Sequence, residues 1–240
     1  MSNFMPFKPT AVALIIGSIF AMPYVAHATT YGVDASNADQ VVTDKNSFSD
    51  VDYGVYVSKD HSATVTNDSI TINAKKGGAF VKNNYGGTIG LTATAGDVDI
   101  TVSGGSPSDG LNIHTSSSAK KDSRITVEGK NVTITSTSPT GTARGVLVEN
   151  TANATVNGHV EVTAQQKLKI GVAGTDYAKA VGTSGAKSSV TLKSDTVEYM
   201  VSSLFARVDQ IFHGASPQAL HLERLFSNQR GQKPRTITKR

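Results

Sequence analysis

Short segments that open on glycine and then alternate apolar with other residues recur along this chain. The clearest are Gly54-Val55-Tyr56-Val57, Gly78-Ala79-Phe80-Val81, Gly110-Leu111-Asn112-Ile113 and Gly145-Val146-Leu147-Val148. They start 24, 32 and 35 residues apart, and a poorer copy, Ala180-Val181-Gly182, follows after a further 35. Further short alternating segments lie between one opening and the next. Self-similarity at this period marks a solenoid, in which a repeat cannot bury its apolar side alone and stacks it on its neighbours.

The segments after each opening complete the coils. The first coil runs from Gly54 through Ala63 to Thr66 and Ser69 to Asn73, and Lys75-Lys76-Gly77-Gly78 reads as the turn into the next. The second uses Thr88 to Leu91 and Asp97 to Val102, closing at Gly104 to Gly110. Arg124 to Val127 and Asn131 to Thr135 build the third, which turns at Ser138-Pro139-Thr140-Gly141. The fourth is expected to use Ala154-Thr155-Val156 and His159 to Val162, and the fifth Ser189 to Leu192 and Thr196 to Tyr199. Period-two alternation places Val98, Ile100 and Val102 on one side and Asp97, Asp99 and Thr101 on the other. Three strands per coil predict an all-β fold, a right-handed parallel β-helix of about five coils. An antiparallel sandwich is the rival, since short strands with regular turns fit it too, but it does not call for repeated glycine-apolar openings.

Composition agrees with thin, regular strands: 38% hydrophobic, 6% aromatic and 22 glycines. Lys8 is the only charge before Asp34, and Ala11 to Met22 is an apolar run closed by Pro23. Ala26-His27-Ala28 supplies a small-x-small cleavage pattern, so residues 1–28 read as a signal peptide. A membrane anchor is the alternative, disfavoured because the run falls short of the roughly 20 apolar residues that span a bilayer. The exported chain holds no cysteine, so ladder hydrogen bonds and stacking must do the work that disulfides often do in exported domains.

The formal charge of +4 is unevenly spread. Residues 29–206 are almost balanced, whereas residues 207–240 carry seven basic against two acidic side chains. A nucleic-acid partner is therefore not expected of the repeat region. Residues 29–50 read as a polar cap or lead-in, 51–201 as the β-helix, and 202–240 as a separate basic tail. In that tail Leu204, Val208, Ile211 and Phe212 fall at helical spacing, and Ser216-Pro217 reads as a helix start before Leu220, Arg224 and Leu225. Gly231 to Arg240 reads as disordered. A basic amphipathic tail can bind a membrane surface or nucleic acid; the reading adopted is a frameshifted or truncated end.

The export signal, the glycine-apolar coil starts, the Ser/Thr/Asn-rich strands such as Asn131-Val132-Thr133-Ile134-Thr135 and the lack of cysteine resemble the passenger region of single-chain bacterial autotransporters, of the pertactin-like and self-associating adhesin type. The resemblance covers the signal and residues roughly 50–201. It implies a β-helical passenger whose partners are a second copy of itself or a glycan or protein on a host surface, acting at the outer membrane and cell surface. It also implies a C-terminal membrane barrel, the route to membrane association. The residues after Val201 are too few for such a barrel at about 10 per strand. This chain is thus expected to be a passenger fragment that reaches the periplasm.

Candidate catalytic and metal-binding residues each have a plainer reading. No Gly-x-Ser-x-Gly elbow or Gly-Asp-Ser-Gly segment occurs; in Ser108-Asp109-Gly110-Leu111 the serine precedes the aspartate. Thr183-Ser184-Gly185, Gly86-Gly87-Thr88 and Gly171-Val172-Ala173-Gly174 read as turns, the latter two lacking the Lys-Ser/Thr ending of a phosphate loop. His27, His61, His114, His159, His213 and His221 are isolated, with no paired-ligand spacing, although His61 and His159 could align on neighbouring coils. Asp97 and Asp99, with Arg124 in the next coil, are the one set that could bind Ca²⁺ or cleave a polysaccharide; a solvated acidic strand is the plainer reading. Val146 and Val148 read as core. No catalytic, cofactor-binding or metal residue is therefore assigned and no cofactor is expected. Adhesion or self-association is the leading function, with a β-helical polysaccharide-processing enzyme or an inactive remnant as alternatives.

Overall fold

The computed structural model describes residues 28–83, 86–116, 119–202 and 220–223. The expected signal peptide, apart from Ala28, and the helix expected at Leu204 to Phe212 lie outside these residues. So does the stretch from Gly231 to Arg240.

Among the described residues the chain is β-strand and turn, with no helix. The strands are β1 (Tyr31–Ala35), β2 (Gln40–Val42), β3 (Ser47–Ser58), β4 (Ser62–Asn67) and β5 (Ile70–Asn83). They continue with β6 (Gly87–Ala93), β7 (Val98–Ser103), β8 (Ser108–Thr115), β9 (Ser123–Ser138) and β10 (Thr142–Glu149). The last are β11 (Gly158–Gly174), β12 (Tyr177–Ser184), β13 (Ser188–Lys193), β14 (Thr196–Ser202) and β15 (Leu220–Glu223).

Every pairing is parallel, and the strands stack into three faces of a β-solenoid. The first face runs β1, the second half of β3, the second half of β5, β8, β10, β12. The second runs β2, β4, β6, the first half of β9, the first half of β11, β13. The third runs the first halves of β3 and β5, then β7, the second halves of β9 and β11, β14 and β15. The antiparallel sandwich is thereby excluded. The coil count differs slightly from the five expected. Residues 29–50, expected as a cap or lead-in, hold β1, β2 and the start of β3, which ladder in parallel onto β3, β4 and β5.

The interior is a stack of β-branched and leucine side chains. On the third face Ile70, Val98, Val132 and Leu168 lie in one register column, and Ile72, Ile100, Ile134 and Ile170 in the next. All eight are fully buried. Each contributes about 1.5–3 kcal/mol of apolar burial.

The opening glycines have a steric cause. A Cβ added at Gly54, Gly78, Gly110 or Gly145 would lie 2.5 Å from the carbonyl oxygen of Gly78, Gly110, Gly145 or Ala180 respectively. It would also strike the Cγ2 of Ile72, Ile100, Ile134 or Ile170. Gly32 stands in the same relation to the Gly54 carbonyl. The column thus lets the first face close onto the isoleucine stack, a close backbone approach that only glycine allows. Ala180 breaks the rule because β12 has no later strand above it on this face among the described residues.

Several corners differ from the turns expected. Lys75-Lys76-Gly77-Gly78 lies inside β5, which passes from the third face to the first without a break in strand. β9 and β11 turn corners the same way, β11 with a register shift between Ala164 and Lys167. Gly171 to Gly174 is therefore strand, paired with Thr135 to Ser138, and not a turn. Leu168 and Ile170, absent from the expected strands, fill the core of that coil. Conversely, Ala154-Thr155-Val156 is loop, turned by an Ala154 N–H bond to the Thr151 carbonyl. In the tail, Leu220–Glu223 is strand stacked on β14, where a helix was expected.

Candidate functional site

A stacked ladder turns one residue per coil into an outward column. On the first face the residues preceding the opening glycines form Tyr31, Tyr53, Gly77, Asp109, Arg144, Lys179. Two residues after each opening comes a second column: Asp34, Tyr56, Phe80, Asn112, Leu147, Gly182. Beside them run Ser58, Lys82, His114, Glu149 and Ser184. One end of this face is therefore aromatic and the other charged.

The aromatic end packs ring on ring. Tyr31 and Tyr53 stack at 5.9 Å, Tyr53 and Phe80 tilt at 5.3 Å, and Tyr56 lies parallel to Phe80 at 6.0 Å. These spacings lie in the favourable range for aromatic pairs, worth about 0.5–1.5 kcal/mol each beyond burial. All four aromatic residues are half-buried. Burial, followed by the negative field of neighbouring groups, pushes the Tyr53 and Tyr56 hydroxyls above their ordinary values.

Where the aromatic column meets the charged one, a cleft of about 390 Å³ opens, lined by Tyr53, Phe80, Asp109, Asn112, Arg144 and Glu149, with Lys76 and His114 at its sides. Its base is an ion pair between the buried Asp109 and the half-buried Arg144. Arg144 Nε donates to Asp109 Oδ1 at 2.6 Å and Nη2 to Oδ2 at 2.8 Å, a two-pronged fit. Nη1 reaches Glu149 Oε1 at 3.4 Å. Burial works against the Arg144 charge, but the hydrogen bonds and field of Asp109 outweigh it and hold its pKa above the ordinary value. Asn112 Nδ2 donates to Asp109 Oδ2 at 2.7 Å. A carboxylate oxygen only accepts, so this bond fixes the amide orientation and leaves Asn112 Oδ1 as the remaining acceptor. That oxygen is buried and meets no donor among the described residues.

The second face carries a different cluster, Arg124, His159, Glu161 and Lys193. Arg124 Nη2 bonds Glu161 Oε2, and Lys193 Nζ bonds Oε1 at 2.6 Å. Lys193 first, and Arg124 with it, hold the Glu161 carboxyl below the usual range. Burial, then the Arg124 charge, lowers His159, whose Nδ1 meets Ser189 Oγ at 2.8 Å. The basic groups of this cluster are solvated, with Arg124 and Lys193 half or more exposed, while Glu161 and His159 are half-buried beneath them.

The candidates named from sequence are not brought together. Asp97 precedes β7 and accepts from the Asn131 backbone N–H at 3.1 Å and its side-chain amide at 2.9 Å, which ties one coil to the next. Asp99 points outward on the third face, between Thr71 and Thr133 in register. Arg124 lies on the second face, bound to Glu161. His61 lies 3.5 Å from Asp39; Thr88 and Arg124 occupy the register positions between its edge and His159, so the two histidines do not align. His114 lines the first-face cleft. His27 and His213 lie outside the described residues, and His221 is placed only as part of β15. Among the described residues no three His, Asp or Glu side chains converge as metal ligands. Thr183 and Ser184 end β12, and Gly185 turns with φ +76°. Val146 and Val148 are core.

The cleft itself was missed. Its signal was present, because Asp109-Gly110 and Arg144-Gly145 stand one coil apart, each charge immediately before an opening glycine.

The fold and this face define a parallel β-solenoid with a polar-aromatic cleft on one side. No known protein family, no curated protein and no solved structure matches the chain.

Proposed function

We propose that this chain is an exported binding solenoid of the autotransporter-passenger type, working at the bacterial surface by adhesion or self-association. The observation that carries the proposal is the registration of outward side chains. On the third face Ser47, Thr71, Asp99, Thr133, Lys169 and Glu198 form one column, with Asn73, Thr101 and Thr135 beside it. A rigid ladder of hydroxyls, amides and paired charges offers many weak contacts, each worth about 0.5–1.5 kcal/mol. Fixed spacing lets such contacts add along the axis against a second copy or a repeating glycan.

Display of the full chain on a non-aggregating bacterium, fused to an outer-membrane anchor, tests the reading. Faster settling of the cells or attachment to a glycan-coated surface is the expected result. A displayed, protease-resistant chain that does neither contradicts it. Polysaccharide processing, the alternative, drew on Asp97 and Asp99 together with Arg124, which lies on a different face from that pair.

A further inference from the structure

The first-face cleft combines three features that together select a ligand chemistry. Its lining includes two rings 5.3 Å apart, Tyr53 and Phe80, and the face of an aromatic ring is negative in character. Such a surface attracts the weakly positive C–H groups that a sugar ring displays on one side. The Lys, Arg, Asp and Glu side chains of its lining balance, Arg144 and Lys76 against Asp109 and Glu149: Arg144 is bound to Asp109 and faces Glu149, and Lys76 also lies 3.3 Å from Asp52, outside the lining. A charged ligand would have to break a pair or go unpaired in a partly buried site, which is costly. An uncharged one leaves the pairs intact. Finally, Asn112, 2% exposed, keeps an acceptor with no donor among the described residues. A buried orphan of this kind costs roughly 1–3 kcal/mol, and a hydroxyl that pressed between the lining side chains would relieve it.

We infer that the cleft binds one neutral pyranose unit of a glycan, with its C–H side against Tyr53 and Phe80. Its hydroxyls face the other wall, donating to Asn112 Oδ1 and Glu149 and accepting from His114 or Lys76. The volume, near the low end of the range for small-ligand sites, suits a short saccharide segment and excludes a folded protein element.

This inference rests on the reading of the outward faces as a binding surface, and names the ligand of one of them. Its test needs no cell surface. The purified full chain is titrated calorimetrically with neutral oligosaccharides of glucose, galactose, mannose and N-acetylglucosamine, and with heparin and a poly-dT oligonucleotide as anionic probes. Saturable binding of at least one neutral saccharide is expected, changing less than twofold between 0.05 and 0.5 M salt. Tyr53→Ala and Phe80→Ala should each weaken it at least tenfold, whereas Tyr53→Phe retains it; unchanged thermal unfolding of Phe80→Ala separates lost contact from lost fold. No binding of any neutral saccharide, binding of the anionic probes alone, or insensitivity to both ring removals overturns the inference. Failure here leaves self-association of displayed cells to stand or fall on its own measurement.

Discussion

Arg144 and Arg124 occupy the same kind of position, one rung of an outward column, yet their surroundings make them different residues. Arg144 lies in a cleft against a carboxylate that is 4% exposed, with an unpartnered amide oxygen beside it. Arg124 stands half exposed over Glu161, which Lys193 also holds. The ladder supplies both pairs by the same geometry, so register alone does not make a site. Concavity does, by removing water from the charges and leaving a polar group to be satisfied from outside.

The sharpest break between the two faces is the removal of each arginine. Arg144→Met leaves the Asp109 charge buried without its cation and should destabilise the fold by about 3–5 kcal/mol. Arg124→Met should cost about 0–1 kcal/mol. Urea unfolding of both variants checks the contrast, and equal losses would erase it.

Glycines extend the comparison at smaller amplitude. Gly110→Ala forces a methyl against Ile134 and the Gly145 carbonyl, and overpacking of this kind costs about 1–3 kcal/mol. Gly90, on the second face, would meet only the Thr64 side chain at 3.9 Å. Gly90→Ala should therefore be neutral or stabilise by about 0.4–1 kcal/mol through the unfolded state. Thermal midpoints moving in opposite directions would support the steric account of the glycine column.

The smallest effect is in pH. Glu161 and His159 both titrate below their ordinary values when folded, so the unfolded chain binds their protons more readily. Stability from Glu161 is present above its unfolded value of 4.5 and is lost as pH falls through the lower folded value. His159 acts with the same sign, its contribution present above 6.5 and lost on acidification below it. Both groups are partly solvated, so the drop should stay below about 1 kcal/mol. Unfolding midpoints of His159→Gln should vary less between pH 7 and 5 than those of the parent chain.

The repeat was legible because its cause is local: Gly110-Leu111-Asn112-Ile113 carries the close approach and the alternation in four residues. The first coil escaped notice although Gly32-Val33-Asp34-Ala35 has the same form 22 residues before Gly54. Its other strands are short, and β2 has only three residues. Corners were harder still. A strand that bends between faces, as at Lys75 to Gly78, keeps its extended backbone although its paired glycines carry the sequence signal of a turn. Asp97 appeared paired with Asp99 because they are neighbours in sequence, whereas its bond partner, Asn131, is 34 residues away. The cleft needed the register of three columns at once, and only its spacing, one coil from Asp109 to Arg144, was written in the chain.

The most direct test of the account is adhesion by cells displaying the full chain, comparing Tyr53→Ala/Phe80→Ala on the first face with Arg124→Ala/Lys193→Ala on the second. Attachment to a glycan-coated surface should fall at least tenfold in the first pair and stay within twofold in the second. Loss in the second pair with retention in the first would contradict the placing of the saccharide site in the first-face cleft.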